Sequence, residues 1–224
     1  MSIRIVKVKS VEKQAEYVIN LLNKFNDYLL LLSGGKSPEE LYFQMANNDS
    51  FKLPRDTAQV DDRWGTFPMH EFSNYRMIKD SGLLVRIERE GRRFHPMLIG
   101  ENTVEKTSIL YASKLSDLFV EYAGRIIGVF GVSEAGHIAG IVPDSPAIAS
   151  EELVIGYKSG DKYGERVTLT LNTIRNHVDV AIVLLNTKEK LKSFEDIMKE
   201  GEIAKFPALV FKEMDDVEVI CISQ

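Results

Sequence analysis

Residues 28–32, YLLLL, run straight into Ser33, Gly34 and Gly35, and no other stretch restricts the fold as much. Four successive leucines leave a strand without a polar face, so both sides of it have to be covered, as in a parallel sheet packed between helices. Residues 125–131 (RIIGVFG) and the strand VDVAIVLLN from Val178 have the same character. Alternating strands are expected at residues 3–8 and in VEVICIS near the C-terminus, with shorter ones in TAQVDDRWG and at residues 94–99. Helical spacing links Val11, Ala15, Val18, Leu22 and Phe25, and recurs at residues 38–46, from Ser73, over residues 102–122 and over 187–200. RVTLTLNTI and FPALVF fall between these elements, and residues 158–165 (KSGDKYGE) read as a polar surface loop. Strand and helix alternate throughout. The expected fold class is α/β, a doubly wound, mainly parallel sheet with helices on both faces, formed by residues 1–224 as one domain.

The formal net charge of −5 and the scatter of the basic residues give nucleic-acid binding little electrostatic support. The one cysteine, Cys221, sits in an apolar alternating run and reads as a buried structural thiol. No long uncharged apolar run suggests a membrane span, and the alternating N-terminus lacks a signal-peptide core, so a cytoplasmic protein is expected. The chain itself does not indicate whether it is a monomer or a small homo-oligomer.

In doubly wound sheets ligands gather at the carboxyl ends of strands, which singles out residues 33–37, 61–64 and 133–137. The first, SGGKS, is not a P-loop: the glycine required five residues before Gly35 is replaced by Leu30, inside the strand. Its glycines and the following helix N-terminus can still hold a single phosphate, with Lys36 at hand. Ser37 as N-cap, Pro38 at the first helical position and Glu40 completing a capping box describe an empty capped turn equally well. In the second segment Arg63 offers a planar donor fork for phosphate or carboxylate, whereas Asp61, Asp62 and Arg63 together also read as a surface ion pair. Trp64 either packs that guanidinium or fills core, and His70 is a lone loop histidine. In the third, His137 follows a glycine just past a buried strand and is placed to accept a proton near neutral pH. His95 and His177 read as structural, and no spacing calls for a metal.

Taken in order, LLSGGKSP, DDRWG with HEFSNYRM, GVSEAGHIAGIVPDSPAI and ERVTLTLNTIRN resemble four signature segments of the 6-phosphogluconolactonase family, which is related to the glucosamine-6-phosphate deaminases. The resemblance implies a modified Rossmann-like fold and cofactor-free hydrolysis of a sugar-phosphate lactone. It further implies that His137 is the general base. Ser33, Gly34, Gly35 and Ser37 match the sugar-phosphate loop, Arg63 a phosphate-binding arginine, and Asp61 the acidic residue that opens its motif. Arg166 begins the last motif, and a family lysine just before it corresponds to Lys158 or Lys162. The chain departs from the pattern around the histidine. Ala135 stands where the family has an aspartate that orients the imidazole, Ser133 replaces a glycine, Ile138 a threonine and Gly140 a serine. Glu134 or Asp61 are the candidates to supply the missing carboxylate. The Gly-His-Ile-Ala run is closer to the deaminases, while Asp62, Arg63 and Trp64, in place of Asp-Glu-Tyr, favour the lactonases. A deaminase-isomerase and a sugar-phosphate-binding protein with a decayed catalytic loop are therefore the alternative expectations.

Overall fold

The computed structural model describes residues 2–65, 71–100, 103–199 and 201–222. In chain order the elements are β1 (Ser2–Val8), α1 (Val11–Leu22), β2 (Leu29–Leu32), α2 (Glu39–Asn47), β3 (Asp56–Gln59), β4 (Asp61–Arg63), α3 (Asn74–Asp80), α4 (Leu83–Arg89) and β5 (Arg93–His95). There follow α5 (Val104–Glu121), β6 (Ile126–Gly131), β7 (Val154–Lys158), β8 (Glu165–Leu169), α6 (Leu171–His177), β9 (Val180–Leu185), α7 (Lys188–Lys199) and β10 (Asp216–Ile222). Seven strands form one sheet in the order β1-β10-β9-β6-β2-β3-β5, with every pairing parallel. Its mainly parallel α/β character is the one expected from the leucine run.

That run divides between two cores. Leu30 and Leu32 pack on one face with residues of α1, α2, α3 and α4, while Leu29 and Leu31 pack on the other with residues of α5, α6 and α7. All four leucines are fully buried, and enclosing such a side chain is worth roughly 1.5–3 kcal/mol. No described helix is long and apolar enough to cross a membrane.

Two local expectations give way. Asp61–Arg63, expected just past the end of the third strand, instead forms β4 of a second, three-stranded antiparallel sheet, β4-β8-β7. The polar stretch at 158–165 is a surface loop as expected, at the tip of the β7–β8 hairpin, whose Val154, Val167 and Leu169 join the core beneath α5. The capping box at α2 is absent. The helix begins at Glu39 with no side-chain cap; Ser37 Oγ accepts a hydrogen bond from Lys190 Nζ at 3.0 Å, and Glu40 accepts one from Gln44. FPALVF forms a short 3-10 helix, Pro207–Lys212. Ser73 does cap α3 as its position suggested, its hydroxyl accepting from Arg76 N–H at 3.4 Å.

Candidate active site at the strand ends

β2 and β6 are neighbours, and the chain leaves them for opposite sides of the sheet, toward β3 and β9 respectively, which opens a crevice at their carboxyl ends. Glycines let the surrounding turns close on one another. A Cβ on Gly131, the last residue of β6, would lie 3.2 Å from Ser37 Cβ, and one on Gly34 would sit 1.7 Å from Asn74 Oδ1. A Cβ on Gly140 would stand 2.8 Å from Thr168 Cβ and 3.3 Å from Asp61 Cβ. The loops after β2 and β6 and the strands β4 and β8 thereby share one locality.

Asp62 anchors one wall. It is fully buried, and its carboxylate accepts from the main-chain N–H groups of Arg63, Asn74 and Tyr75, from Ser73 Oγ and from Gln59 Nε2, at 2.7–3.1 Å. It is thus a scaffold for the start of α3. Asn74, so placed, donates Nδ2–H to the Asp61 carbonyl at 2.9 Å and accepts from the Arg63 guanidinium through Oδ1 at 2.7 Å. The Phe72 carbonyl accepts from Arg63 as well, at 3.1 Å. Arg63 stands opposite Arg166 in the β4–β8 ladder. Arg166 is buried and paired with Asp161, and the Nε atoms of both arginines are buried without a partner among the described residues. Two guanidiniums on facing residues with unspent donors have the chemistry to take an anion. Arg63, Gly35, Lys36, Asn74 and Tyr163 also line a cavity of about 790 Å³.

The loop after β2 faces this pair. Ser33 is buried, its hydroxyl without a partner among the described residues, and Gly35 takes φ +81°, a left-handed conformation suited to glycine. Lys36 is exposed. Lys190, reaching over from α7 to Ser37, has its pKa lowered by burial, with Glu134 acting in the opposite direction.

On the other wall, His137 is half-buried in a turn closed by Ser133: its main-chain N–H donates to Ser133 Oγ at 3.0 Å, and Ser133 N–H donates to its carbonyl at 3.1 Å. Ser133, one of the departures from the family pattern, therefore shapes the loop. The imidazole makes no hydrogen bond among the described residues. Burial lowers its pKa and Arg166 pushes the same way, while Asp161 opposes them. Ala139 in the same loop is held at φ +49°, a left-handed conformation that costs a non-glycine residue energy. Asp61 is buried beside Gly140; burial pushes its carboxyl up to about 6, Arg63, Arg166 and Asn74 pull it down, and Asp62 pushes it further up.

The structure thus brings Ser33, Gly34, Gly35, Ser37, Asp61, Arg63, His137 and Arg166 to one end of the sheet. Glu134 and Ala135 are exposed, and the charge of Glu134 acts on Lys190. Lys162 lies with its ammonium 5.0 Å from the Tyr163 ring centroid, near the arginine pair, whereas Lys158 is exposed at the end of β7 opposite Glu165. Trp64 donates its indole N–H to Thr107 and packs on the core, so the ring over Arg63 is that of Tyr163, 4.9 Å away. His95 lies 2.6 Å from Asp56 and His177 stacks on Phe119, both outside the site. His70 lies outside the described residues. Sequence reasoning missed Asn74, Tyr163 and Lys190. Asn74 follows a readable cap at Ser73, but nothing distinguishes Lys190 from Lys188 and Lys192 beside it on α7.

A family profile described as glucosamine-6-phosphate isomerases/6-phosphogluconolactonase matches residues 7–220. None of the curated proteins matches the chain significantly. Among solved structures, a 6-phosphogluconolactonase from Shewanella baltica superposes with a TM-score of 0.82 at 18% identity, covering 99% of this chain and 98% of that one. The 6-phosphogluconolactonase from Thermotoga maritima gives 0.79 at 21%, covering 100% of both chains. That from Plasmodium vivax gives 0.79 at 20%, covering 99% and 90%. At these identities the likeness establishes the fold.

Proposed function

Because the chain belongs to the glucosamine-6-phosphate isomerase/6-phosphogluconolactonase family, we propose that it hydrolyses 6-phosphoglucono-δ-lactone to 6-phosphogluconate with no cofactor, in the cytoplasm. The observation that carries this reading is the meeting of His137 with the Arg63–Arg166 pair: Arg166, half of the anion site, is close enough to depress the proton affinity of the imidazole. A base and an anion grip at the same end of the sheet suit a substrate that carries both a phosphate and a reacting carbonyl.

The phosphate is held by Arg63 and Arg166, by the amides of the Ser33 to Ser37 loop and by Lys190. The helix dipole of α2 favours its charge. At the other end of the substrate neutral His137 takes a proton from water, and the hydroxide adds to the lactone carbonyl. The tetrahedral intermediate then collapses with cleavage of the bond from the carbonyl carbon to the ring oxygen. The imidazolium returns its proton to that oxygen, and the new acid ionises. Asp161, whose charge opposes that of Arg166 at the imidazole, favours the imidazolium electrostatically, and Asp61 is buried beside Gly140 of the same loop as His137.

Lactone opening, coupled to a 6-phosphogluconate dehydrogenase with spontaneous hydrolysis subtracted, tests the proposal. The wild type should exceed background, and His137→Gln should lose at least ~10²-fold in turnover, the usual worth of a general base, while still binding 6-phosphogluconate. A wild-type rate equal to background defeats the reading. The amino-sugar reaction has one observation in its favour, the Gly-His-Ile-Ala run at 136–139; ammonia release from glucosamine 6-phosphate would establish it instead.

A further inference from the structure

The tip of the β7–β8 hairpin places one aromatic ring among three cations. The Tyr163 ring centroid lies 4.9 Å from the Arg63 guanidinium carbon, 5.5 Å from that of Arg166 and 5.0 Å from Lys162 Nζ. Arg63 and Arg166 are direct cross-strand partners, a like-charge juxtaposition that is unfavourable in an antiparallel pair. Something has to hold both guanidiniums in place while their inner Nε atoms stay unspent. The negative face of an aromatic ring attracts cations and stacks well on a planar guanidinium.

The ring is itself fixed. Phe72 meets it edge to face, with centroids 5.5 Å apart and planes at 88°, and the Phe72 carbonyl binds Arg63. Asp161, two residues before it, accepts from Tyr163 N–H at 2.9 Å and from Ser159 Oγ at 2.7 Å, and pairs with Arg166. Ring, carbonyl and carboxylate thus hold the two arginines, whose Nε atoms stay buried with no partner among the described residues.

We propose that Tyr163 is a positioning residue: it holds Arg63 and Arg166 in the orientation that receives the substrate's phosphate, and so sets selectivity for phosphorylated over unphosphorylated lactones. The inference rests on the assignment of this arginine pair to phosphate in the preceding reading. Its flat face does the work, so the hydroxyl is dispensable.

The test compares Tyr163→Phe, Tyr163→Leu and Arg63→Met with the wild type. Binding of inorganic phosphate is measured by calorimetry, and KM and kcat are measured for 6-phosphoglucono-δ-lactone and for glucono-δ-lactone. Tyr163→Leu should weaken phosphate binding and raise KM for the phosphorylated lactone about tenfold, since two cation–π contacts are each worth a few-fold. Its kcat should change far less, the penalty should be confined to the phosphorylated substrate, and Tyr163→Phe should restore wild-type values. If Tyr163→Leu binds phosphate as the wild type does while Arg63→Met does not, the positioning role is wrong and the anion site stands. Equal losses on both lactones, or no rescue by phenylalanine, also overturn it. If the wild type binds no phosphate, inference and anion assignment fall together; binding without lactone opening removes the reaction alone and leaves the positioning role to the calorimetry.

Discussion

His137 owes its reactivity to where it is buried. Desolvation, reinforced by Arg166, holds the imidazole below its ordinary value of 6.5. A base with a lowered pKa is neutral over a wider range, so turnover should fall only on the acid side, through a limb whose midpoint lies below 6.5. Arg166→Met should move that midpoint upward, as read from kcat/KM across pH, which reports the free enzyme. An unmoved limb would mean that the charge of Arg166 does not reach the base. Asp61 has the opposite sign. Between the ordinary 3.8 and about 6 the folded protein binds a proton that the unfolded chain has released. Stability therefore declines as pH rises through that window, and the full cost, about 3 kcal/mol, stands above it. Asp61→Asn should raise stability at pH 8 by ~1–3 kcal/mol in denaturant titrations while reducing turnover. A variant that is no more stable contradicts the buried-charge account. Ala135 is exposed, so a carboxylate introduced there carries little desolvation cost. Ala135→Asp should raise kcat severalfold by orienting an imidazole that has no hydrogen-bond partner among the described residues. No gain would mean that the ring is already held in its working position.

The elements that build the site take their positions from contacts distant in sequence, and this decides what could be read in advance. Gly34 and Gly35 were legible as a tight turn after a buried strand, and Gly35 does take the left-handed φ of +81°. The cap at Ser37 was misread because its hydroxyl is taken by Lys190, 153 residues away. The second sheet was hidden for a similar reason. Asp61–Arg63 has no strand pattern of its own, and it becomes a strand by pairing with β8 in a register that sets Arg63 against Arg166. Outside the site, the C-terminal end of α2 depends on one residue. Buried Arg86 donates to the carbonyls of Met45, Asn48 and Phe51 at 2.6–2.8 Å, and pairs with Glu90. Arg86→Met should cost ~2–4 kcal/mol in a denaturant titration, because it removes the donor to the Met45 and Phe51 carbonyls and leaves the Asn48 carbonyl with Phe51 N–H alone. A loss under ~0.5 kcal/mol, the scale of a surface substitution, would show that water replaces the guanidinium there.

For the molecule as a whole, the alternation of one four-residue strand between two cores settles the layers. Leu29 and Leu31 serve one face and Leu30 and Leu32 the other, which is why the fold class was readable from so short a stretch. The same sheet separates stability from chemistry. At the opposite end, buried Asp56 gathers Arg93, His95 and Tyr122 at 2.6–2.7 Å. Burial alone would raise its pKa, yet these hydrogen bonds outweigh it and keep the carboxyl well below the usual carboxylate range. The carboxyl ends carry the unspent donors and the free imidazole. A crystal structure with 6-phosphogluconate bound tests this division of labour most directly. The phosphate should lie between Arg63 and Arg166 against the Gly34–Gly35 backbone, with the product carboxylate within one water of His137. Phosphate bound elsewhere, or a carboxylate beyond that reach of the imidazole, would contradict the account.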